Sequence, residues 1–277
     1  MFGIFLAGIS AAFEELTNSL GKRKIGDGTE SYYTFGFLTQ FFSALLILGA
    51  GLLLNNLVFA LDSLVTFIPR VLVAILEIQL AVIALVKVDR GNIGFIRLAT
   101  IPLLLLTDLA LGYSLSVFQI LGMCLIVAPI IVLFSQGKND KGLWLALTVA
   151  ALAAVDISLY KYDISHFNSV EAEQAIISLI LSLYFFITAA IVRRENPILF
   201  LKRPVYLIQT GSSGLAYVVG SFSYLFAPAS IITAAFRGFS VLFSILTGQF
   251  YFKEKNFLVR FGLFILIVDG LLLLIKA

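Results

Sequence analysis

The chain has 277 residues, of which 60% are hydrophobic and 13% are charged, and its mean hydropathy is +1.04. Soluble domains are about 45–50% apolar and about 25% charged, so this composition excludes a cytosolic enzyme, a secreted disulfide-bonded domain and a disordered chain. A net charge of +3 without a basic cluster gives no indication of nucleic-acid binding. One cysteine and one histidine exclude a His/Cys metal cluster, although these counts do not exclude a carboxylate site. We expect no metal and no cofactor.

Ten apolar segments of about 20 residues follow one another, which is the length that a membrane-spanning helix needs. They lie at 2–21, 32–54, 68–87, 91–111, 116–135, 142–161, 170–192, 204–225, 229–251 and 257–275. Residues 55–67 are ambiguous between an interfacial turn and an early start of the third helix. The predicted fold class is an all-α polytopic membrane protein with ten transmembrane helices in the lipid bilayer.

The second half of the chain repeats residues of the first half at a nearly constant spacing. The matched pairs include Lys22 with Lys161 at an offset of 139 and Arg97 with Arg237 at an offset of 140. We predict two five-helix repeats, at 1–137 and 138–277, within one membrane domain. Because five is odd, the second repeat enters the membrane from the opposite side, and such inverted repeats recur in secondary transporters.

Positive charges are distributed unevenly between the predicted loops. Fourteen of the 19 lysines and arginines lie in or beside loops that follow odd-numbered helices, three lie on the other face, and Arg97 and Arg237 lie within helices. Cytoplasmic loops collect lysine and arginine. Both termini are therefore predicted to lie outside the cytoplasm of a multi-pass protein of the cell membrane. A monomer and a homodimer both remain open.

Several short motifs resemble those of a known transporter family. They are Ala227-Pro228-Ala229-Ser230, Lys253-Glu254-Lys255-Asn256 and Gly262, with a weaker first copy from Val88-Asp89-Arg90-Gly91 to Gly122. On these motifs the chain resembles EamA-type members of the drug/metabolite transporter superfamily, although Glu14-Glu15 and Ser240 replace the usual tryptophan-glycine and proline. The resemblance implies a ten-helix carrier of amino acids, sugars, nucleotide sugars, drugs or other metabolites, often outward and often coupled to protons.

Polar side chains recur at helical spacing inside several predicted helices. Ionisable groups at membrane depth usually face the protein interior or a watery cavity. The candidate substrate-binding residues are Glu14, Gln40, Glu77, Arg97, Gln209, Ser213, Tyr217 and Arg237. Arginine presents a planar fork of donors that suits a carboxylate or a phosphate, so Arg97 and Arg237 are expected to hold an anionic group of a small-molecule substrate. The structural alternative is a permanent ion pair with Glu14, Glu77 or Asp108.

Other ionisable residues are assigned more ordinary roles. We expect a solvated rim at the helix ends for Asp108, Lys161, Asp163, Glu171 and Glu173, and a surface loop for His166. Asp156 and Asp269 lie deeper and are possible proton sites. The segment Gly211-Ser212-Ser213-Gly214 is similar to the nucleophile sequence of intramembrane proteases. That chemistry needs a histidine base nearby, and the single His166 is too distant along the predicted helices, so we expect no enzyme.

The predicted function is secondary active transport of a small polar or charged metabolite by alternating access, as an exporter or exchanger with proton coupling through Glu14 or Glu77. An organic-phosphate or nucleotide-sugar exchanger is the alternative if both arginines face the cavity. A non-transporting membrane scaffold or a lipid-modifying enzyme is the alternative from another class. Complete pairing of the intramembrane charges favours the scaffold.

Overall fold

A computed structural model describes residues 2–110, 116–136, 141–227, 229–255 and 257–275, and within them the chain is helical with no strand. Its α-helices are α1 Phe2–Gly26, α2 Tyr32–Leu54, α3 Leu64–Lys87, α4 Arg90–Arg97, α5 Thr100–Ala110, α6 Val117–Gln136, α7 Lys141–His166, α8 Val170–Thr188, α9 Pro204–Ser223, α10 Ala229–Phe250 and α11 Phe257–Ile275. Short 3-10 helices lie at Leu61–Ser63 and Pro197–Lys202, and a π-helical turn lies at Ala189–Arg193. Pro228 and Asn256 of the family motifs lie outside the described residues.

Polar residues begin and end the helices where backbone groups need partners. Ser31 and Ser169 precede α2 and α8, and each side chain accepts a hydrogen bond from a backbone N–H of the first turn, which the helix itself cannot satisfy. Asn55 ends α2 and Arg194 ends the π-helical turn after α8, both in the left-handed region with φ of 50° and 54°. Their N–H groups bond to carbonyls of the last turn.

The predicted fourth helix, at 91–111, is interrupted. α4 ends at Arg97 and α5 begins at Thr100, and the N–H groups of Leu98 and Ala99 bond three residues back instead of four. Pro102 has no N–H to continue the ladder and is tolerated in the first turn of a helix, which is where it lies in α5. The expectation of one continuous helix is therefore wrong at this point, and Arg97 lies beside the break.

Helices of the two halves pack against each other. The most extensive packing joins α2 to α8 and α9, α1 to α9 and α10, α3 to α7, α6 to α11, and α4 to α10. Within the part of the chain that the structure describes, five segments are long and apolar enough to cross a membrane: Tyr32–Leu54, Leu61–Lys87, Gly142–His166, Val170–Arg193 and Ile231–Phe250. Large aliphatic side chains such as Leu53, Val65 and Leu258 are more than four-fifths exposed, and so large an apolar exterior indicates a membrane protein.

The buried residues divide the bundle into an apolar part and a polar part. Phe95, Leu98, Ile126, Val241 and Ile267 form an apolar core between α4, α5, α6, α10 and α11. Buried polar residues concentrate instead on α1, α2, α8, α9 and the cavity side of α10. We call the side of the bundle with residues 27–31, 88–89, 194–203 and 251–255 the Glu30 end, and the side with 55–63 and 167–169 the Arg70 end.

Candidate functional site

A cavity of about 330 Å³ lies among α1, α2, α3, α4, α7, α9 and α10, so both halves of the chain contribute to its wall. Seven of the eight predicted site residues line it: Glu14, Gln40, Glu77, Arg97, Ser213, Tyr217 and Arg237. Gln209 lies outside the lining. The volume lies at the small end of the range for ligand pockets, which suits a solute of a few heavy atoms to about the size of an amino acid or a small sugar.

Arg97 and Glu14 form an ion pair on the cavity wall. The Nη1 of Arg97 donates to the Oε1 of Glu14 at 2.6 Å, and Asn18 donates to the same oxygen at 3.2 Å. The side chains remain 20% and 26% exposed, since they face the cavity. The pair therefore matches the structural alternative for Arg97 but leaves both groups within reach of a solute.

Arg237, which lies on α10, has a different environment. It is 7% exposed, it makes no hydrogen bond or ion pair with a described residue, and its Nε is buried without a partner. Its guanidinium lies 5.6 Å from the ring centroid of Phe236, within cation–π range. Because Arg237 lines the cavity, its donors are available to a bound anion.

Glu77 is the acidic counterpart of Arg237. It lines the cavity from α3, and within the described chain it has no hydrogen bond or salt bridge. It interacts electrostatically with Arg237, Arg97 and Glu14. Asp156 lines the same cavity but is bound by Arg70. The cavity thus presents one cation and one anion that no described side chain neutralises by contact.

Neutral polar groups complete the lining. Tyr217 donates to Gln174 Oε1, Ser213 donates to the carbonyl of Thr39 at 3.2 Å, and the Oε1 of Gln40 is buried without a partner in the described chain. A buried acceptor without a partner costs about 1–3 kcal/mol. Gln40 is therefore suited to accept a hydrogen bond from a solute.

Gln209 closes the bundle next to the cavity. It is fully buried on α9, and its Nε2 donates to both carboxyl oxygens of Glu30 at 3.0 and 3.3 Å. Glu30 belongs to the loop between α1 and α2 and is 3% exposed. Burial raises the pKa of Glu30 to about 8, and the nearby Glu195 carboxyl contributes. Sequence reasoning missed Glu30, for which the one signal is its place directly before the capping Ser31.

Arg70 organises a buried charge network at the other end. Its guanidinium contacts Asp156 at 3.2 Å, Glu173 at 2.6 Å and the Oε1 of Gln174 at 3.3 Å. It also lies 4.7 Å from the ring centroid of Tyr160. Every charge in this network has a partner. Breaking such a buried pair typically costs 3–5 kcal/mol, so the network is a structural connection between α3, α7 and α8.

The expectation of a solvated rim is wrong for three acidic residues. Asp163 and Glu173 are fully buried and Glu171 is 2% exposed. Thr66 donates to Asp163, Asn168 donates to Glu173 and Asn56 donates to Glu171. These hydrogen bonds take the place of the hydration that we expected for carboxyls at the helix ends. The side chain of Asp108 lies outside the described residues, Asp269 is exposed, and His166 is exposed at the last turn of α7.

A second charge network closes the Glu30 end on the side of α4, α10 and α11. Arg90 pairs with Glu15, to which Ser19 and Thr247 also donate, and Arg260 contacts Glu254 at 2.6 Å and Asp89 at 3.1 Å. These residues connect the loop after α3 to the loop before α11. Within the described chain, no group of three or more His, Cys, Asp or Glu side chains could hold a metal ion.

Comparison with known proteins gives the fold alone. No family model and no curated protein matches the chain. Among solved structures, one described only as "Crystal structure of protein" superposes with a TM-score of 0.65 at 16% identity, over 97% of this chain and 96% of that chain. The same arrangement of helices therefore occurs in a solved structure along nearly the whole length.

Proposed function

We propose that the chain is a secondary transporter that moves a small polar or charged metabolite by alternating access across the cell membrane. In this proposal it is an EamA-type member of the drug/metabolite transporter superfamily with ten membrane crossings in two inverted repeats of five. α4 and α5 together form the fourth crossing. The Glu30 end lies in the cytoplasm, because the loops at that end carry most of the lysines and arginines.

The packing pattern supports the inverted repeats. In the order of crossings, α1 corresponds to α7 and α3 to α9, so the packing of α1 on α9 has its counterpart in α3 on α7. Local features recur as well. Asn55 and Arg194 are 139 residues apart, and both take the left-handed conformation at the end of a helix.

The observation that carries the proposal is a pair of charged side chains in the cavity, Arg237 and Glu77, that make no hydrogen bond or ion pair with a described residue. Buried charges without partners are costly, and a solute can supply the partners when it binds. A solute that carries an anionic and a cationic group satisfies both side chains and leaves no net charge. A zwitterion is therefore the substrate class that fits best. A non-transporting scaffold would need no such charges.

Arg97 favours a second candidate. It faces the same cavity and is 20% exposed in its pair with Glu14. If a solute displaced Glu14, Arg97 and Arg237 together would offer two planar forks to one phosphate group. An organic-phosphate or nucleotide-sugar exchanger is the function that this arrangement would serve.

Proton coupling needs a carboxyl that loses its proton on one side and regains it on the other. Glu77 is the better carrier, because Glu14 is held by Arg97 and Asn18. Replacing Glu77 by Gln removes titration while keeping shape. In this variant, accumulation driven by a proton gradient should fail, whereas exchange should survive with a weaker apparent affinity, because the cationic group of the solute loses its charged partner.

Counterflow in proteoliposomes tests the function. Vesicles are preloaded with one of three unlabelled mixtures, of zwitterionic amino acids, of dicarboxylates or of sugar phosphates, and are given the same labelled compounds outside. The zwitterions should accumulate, Arg237→Ala should abolish accumulation, and the exposed Arg194→Ala should retain it. Accumulation of sugar phosphates alone would select the second candidate. No accumulation of any mixture by a folded protein would contradict transport of these classes.

A further inference from the structure

Arg70 and Gln209 occupy matching places in the two halves of the chain. They are 139 residues apart, on α3 and on α9. Gln209 bonds to Glu30, directly before the serine-capped α2, and Arg70 bonds to Glu173 in the first turn of the serine-capped α8. Their neighbours match as well. Asp156, which Arg70 binds, is 139 residues after Thr17, which donates to the carbonyl of Gln209 at 3.1 Å. The two ends are thus closed in the same way with different chemistry.

The connection at the Glu30 end depends on one carboxyl without a bonded cation. Among the described residues, Gln209 is the hydrogen-bond partner of the Glu30 side chain, and the amide Oε1 of Gln209 is buried without a partner. An ionised carboxylate in this position would be a buried charge with neutral donors only, which costs free energy. A protonated Glu30 removes that cost.

The charged and titratable groups around Glu30 do not neutralise it. Lys24 on α1 attracts its charge, Glu195 after the π-helical turn repels it, and Tyr206 on α9 also interacts with it. Arg203 acts on Tyr206 from the start of α9. Glu195 itself accepts hydrogen bonds from Ser31 at 2.5 Å and from Thr34 at 2.6 Å. Glu30 therefore has a nearby cation in Lys24 but no cation bonded to its carboxyl among the described residues.

We propose that the contact between Gln209 and Glu30 is a gate, and that protonation of Glu30 holds it closed, so that the Glu30 end opens as the pH on that side rises. At the opposite end Arg70 is in direct contact with two carboxyls, those of Asp156 and Glu173, and we expect that end to stay closed. The inference rests on the proposed function only for placing the Glu30 end in the cytoplasm. An alkaline cytoplasm would then expose the cavity to that side.

Distances between spin labels on the full-length protein test the gate. In a Cys124→Ser background, labels at Gly26 and Leu207 report the separation of α1 from α9 at the Glu30 end; both residues are exposed. Labels at Ser165 and Ile68, each 139 residues away from its counterpart, report the Arg70 end. Measurements run from pH 6 to pH 9 in lipid nanodiscs.

The ratio of the longer-distance to the shorter-distance population of the Gly26–Leu207 pair should grow with pH, by up to about tenfold per pH unit while Glu30 is still protonated in the closed state, and should level off once it ionises there. The Ser165–Ile68 pair should not change. Glu30→Gln should abolish the response, and the matched variant Glu171→Gln, which removes a buried carboxyl at the Arg70 end, should keep it. An unchanged response in Glu30→Gln, or the same response at both ends, would overturn the gate.

Counterflow on the same variants separates this inference from the proposed function. If Glu30→Gln loses the pH response and still exchanges solute, both hold. If the distances respond to pH as expected while no solute mixture is exchanged, the gate stands and the transport proposal fails. If exchange is normal and the distances are insensitive to pH, transport stands and the gate fails.

Discussion

The Arg70 end and the Glu30 end close the bundle on opposite sides of the cavity. They differ in the side chain that makes the contacts, which is Arg70 on α3 at one end and Gln209 on α9 at the other. Arg70 lies among two carboxylates, an amide and an aromatic ring, and each charge is paired. At the matching place Gln209 contacts a single carboxyl and leaves its own oxygen without a partner in the described chain. One end is therefore a permanent ionic connection, and the other changes with protonation.

The cavity between these ends also contrasts a paired with an unpaired side chain. Arg97 is paired with Glu14, whereas Arg237 is unpaired among the described residues. The two arginines are 140 residues apart in the sequence. Pairing is costly to break, so the paired residue contributes to the fold and the unpaired one is available to a solute.

The largest expected effect comes from making the Arg70 end resemble the Glu30 end. Arg70→Gln leaves Asp156 and Glu173 as buried carboxyls without a cation. The free energy of unfolding should fall by about 3–5 kcal/mol, which a denaturation curve in detergent measures. The matched variant Gln209→Met removes only neutral hydrogen bonds and should cost about 1–3 kcal/mol. Equal losses from the two variants would remove the distinction between the ends.

The pH dependence of stability sharpens the comparison at the Glu30 end. The native Glu30 holds its proton up to about pH 8, whereas its ordinary pKa is 4.5. Between these values the native state binds more protons than the unfolded state, so the free energy of unfolding falls as pH rises, by at most about 1.4 kcal/mol per pH unit. Glu30→Gln should lose this slope when melting is followed from pH 5 to pH 9. An identical slope in the variant would assign it to other groups.

The reverse exchange should make the Glu30 end resemble the Arg70 end. Gln209→Arg places a cation beside Glu30, so the carboxyl should ionise and the pH response should disappear. A double-mutant cycle with Glu30→Gln should give a coupling of about 1 kcal/mol or more in unfolding experiments. If Gln209→Arg fails to fold while the double variant folds, the arginine has not found its partner, and the proposed equivalence of the two sites is contradicted.

The smallest perturbation tests which end faces the cytoplasm. A reporter fused after Ala277 should be active only outside the cytoplasm, because most lysines and arginines lie at the Glu30 end. A fusion after Gln136, at the last residue of α6, should be active inside. If the Ala277 fusion were active in the cytoplasm and the Gln136 fusion outside it, the Glu30 end would face outward. The contacts at the two ends would be unaffected by that result.

The sequence predicts the helices well where apolar residues run uninterrupted. α2 has the bounds that were expected, 32–54. The break after Arg97 was not predicted, because Leu98 and Ala99 are not turn-forming residues and Pro102 was the only signal. Glu173 was placed on a solvated rim, because its partner Arg70 lies 103 residues away in sequence. From the sequence alone, a charged residue near a helix end is expected to be hydrated, because its tertiary partner is not known.

The site residues were predicted from stripes of polar side chains, and seven of the eight line the cavity. Gln209 shares a helix face with Ser213 and Tyr217 but lies one turn nearer the end. Helical periodicity gives the face of a residue and not its depth relative to a cavity. For the same reason, the periodicity could not separate a residue that lines the cavity from one that closes it.

The most direct test of the transport proposal is solute binding by Arg237→Lys. Lysine keeps the charge and loses the planar fork. With the solute class that counterflow identifies, apparent affinity should fall about ten- to a hundredfold, which corresponds to one charge-assisted hydrogen bond of about 1.5–3 kcal/mol, while the melting curve stays unchanged. Unchanged affinity would remove Arg237 from the site and contradict the account. Lost binding with a collapsed melting temperature would contradict it as well, because Arg237 would then support the fold.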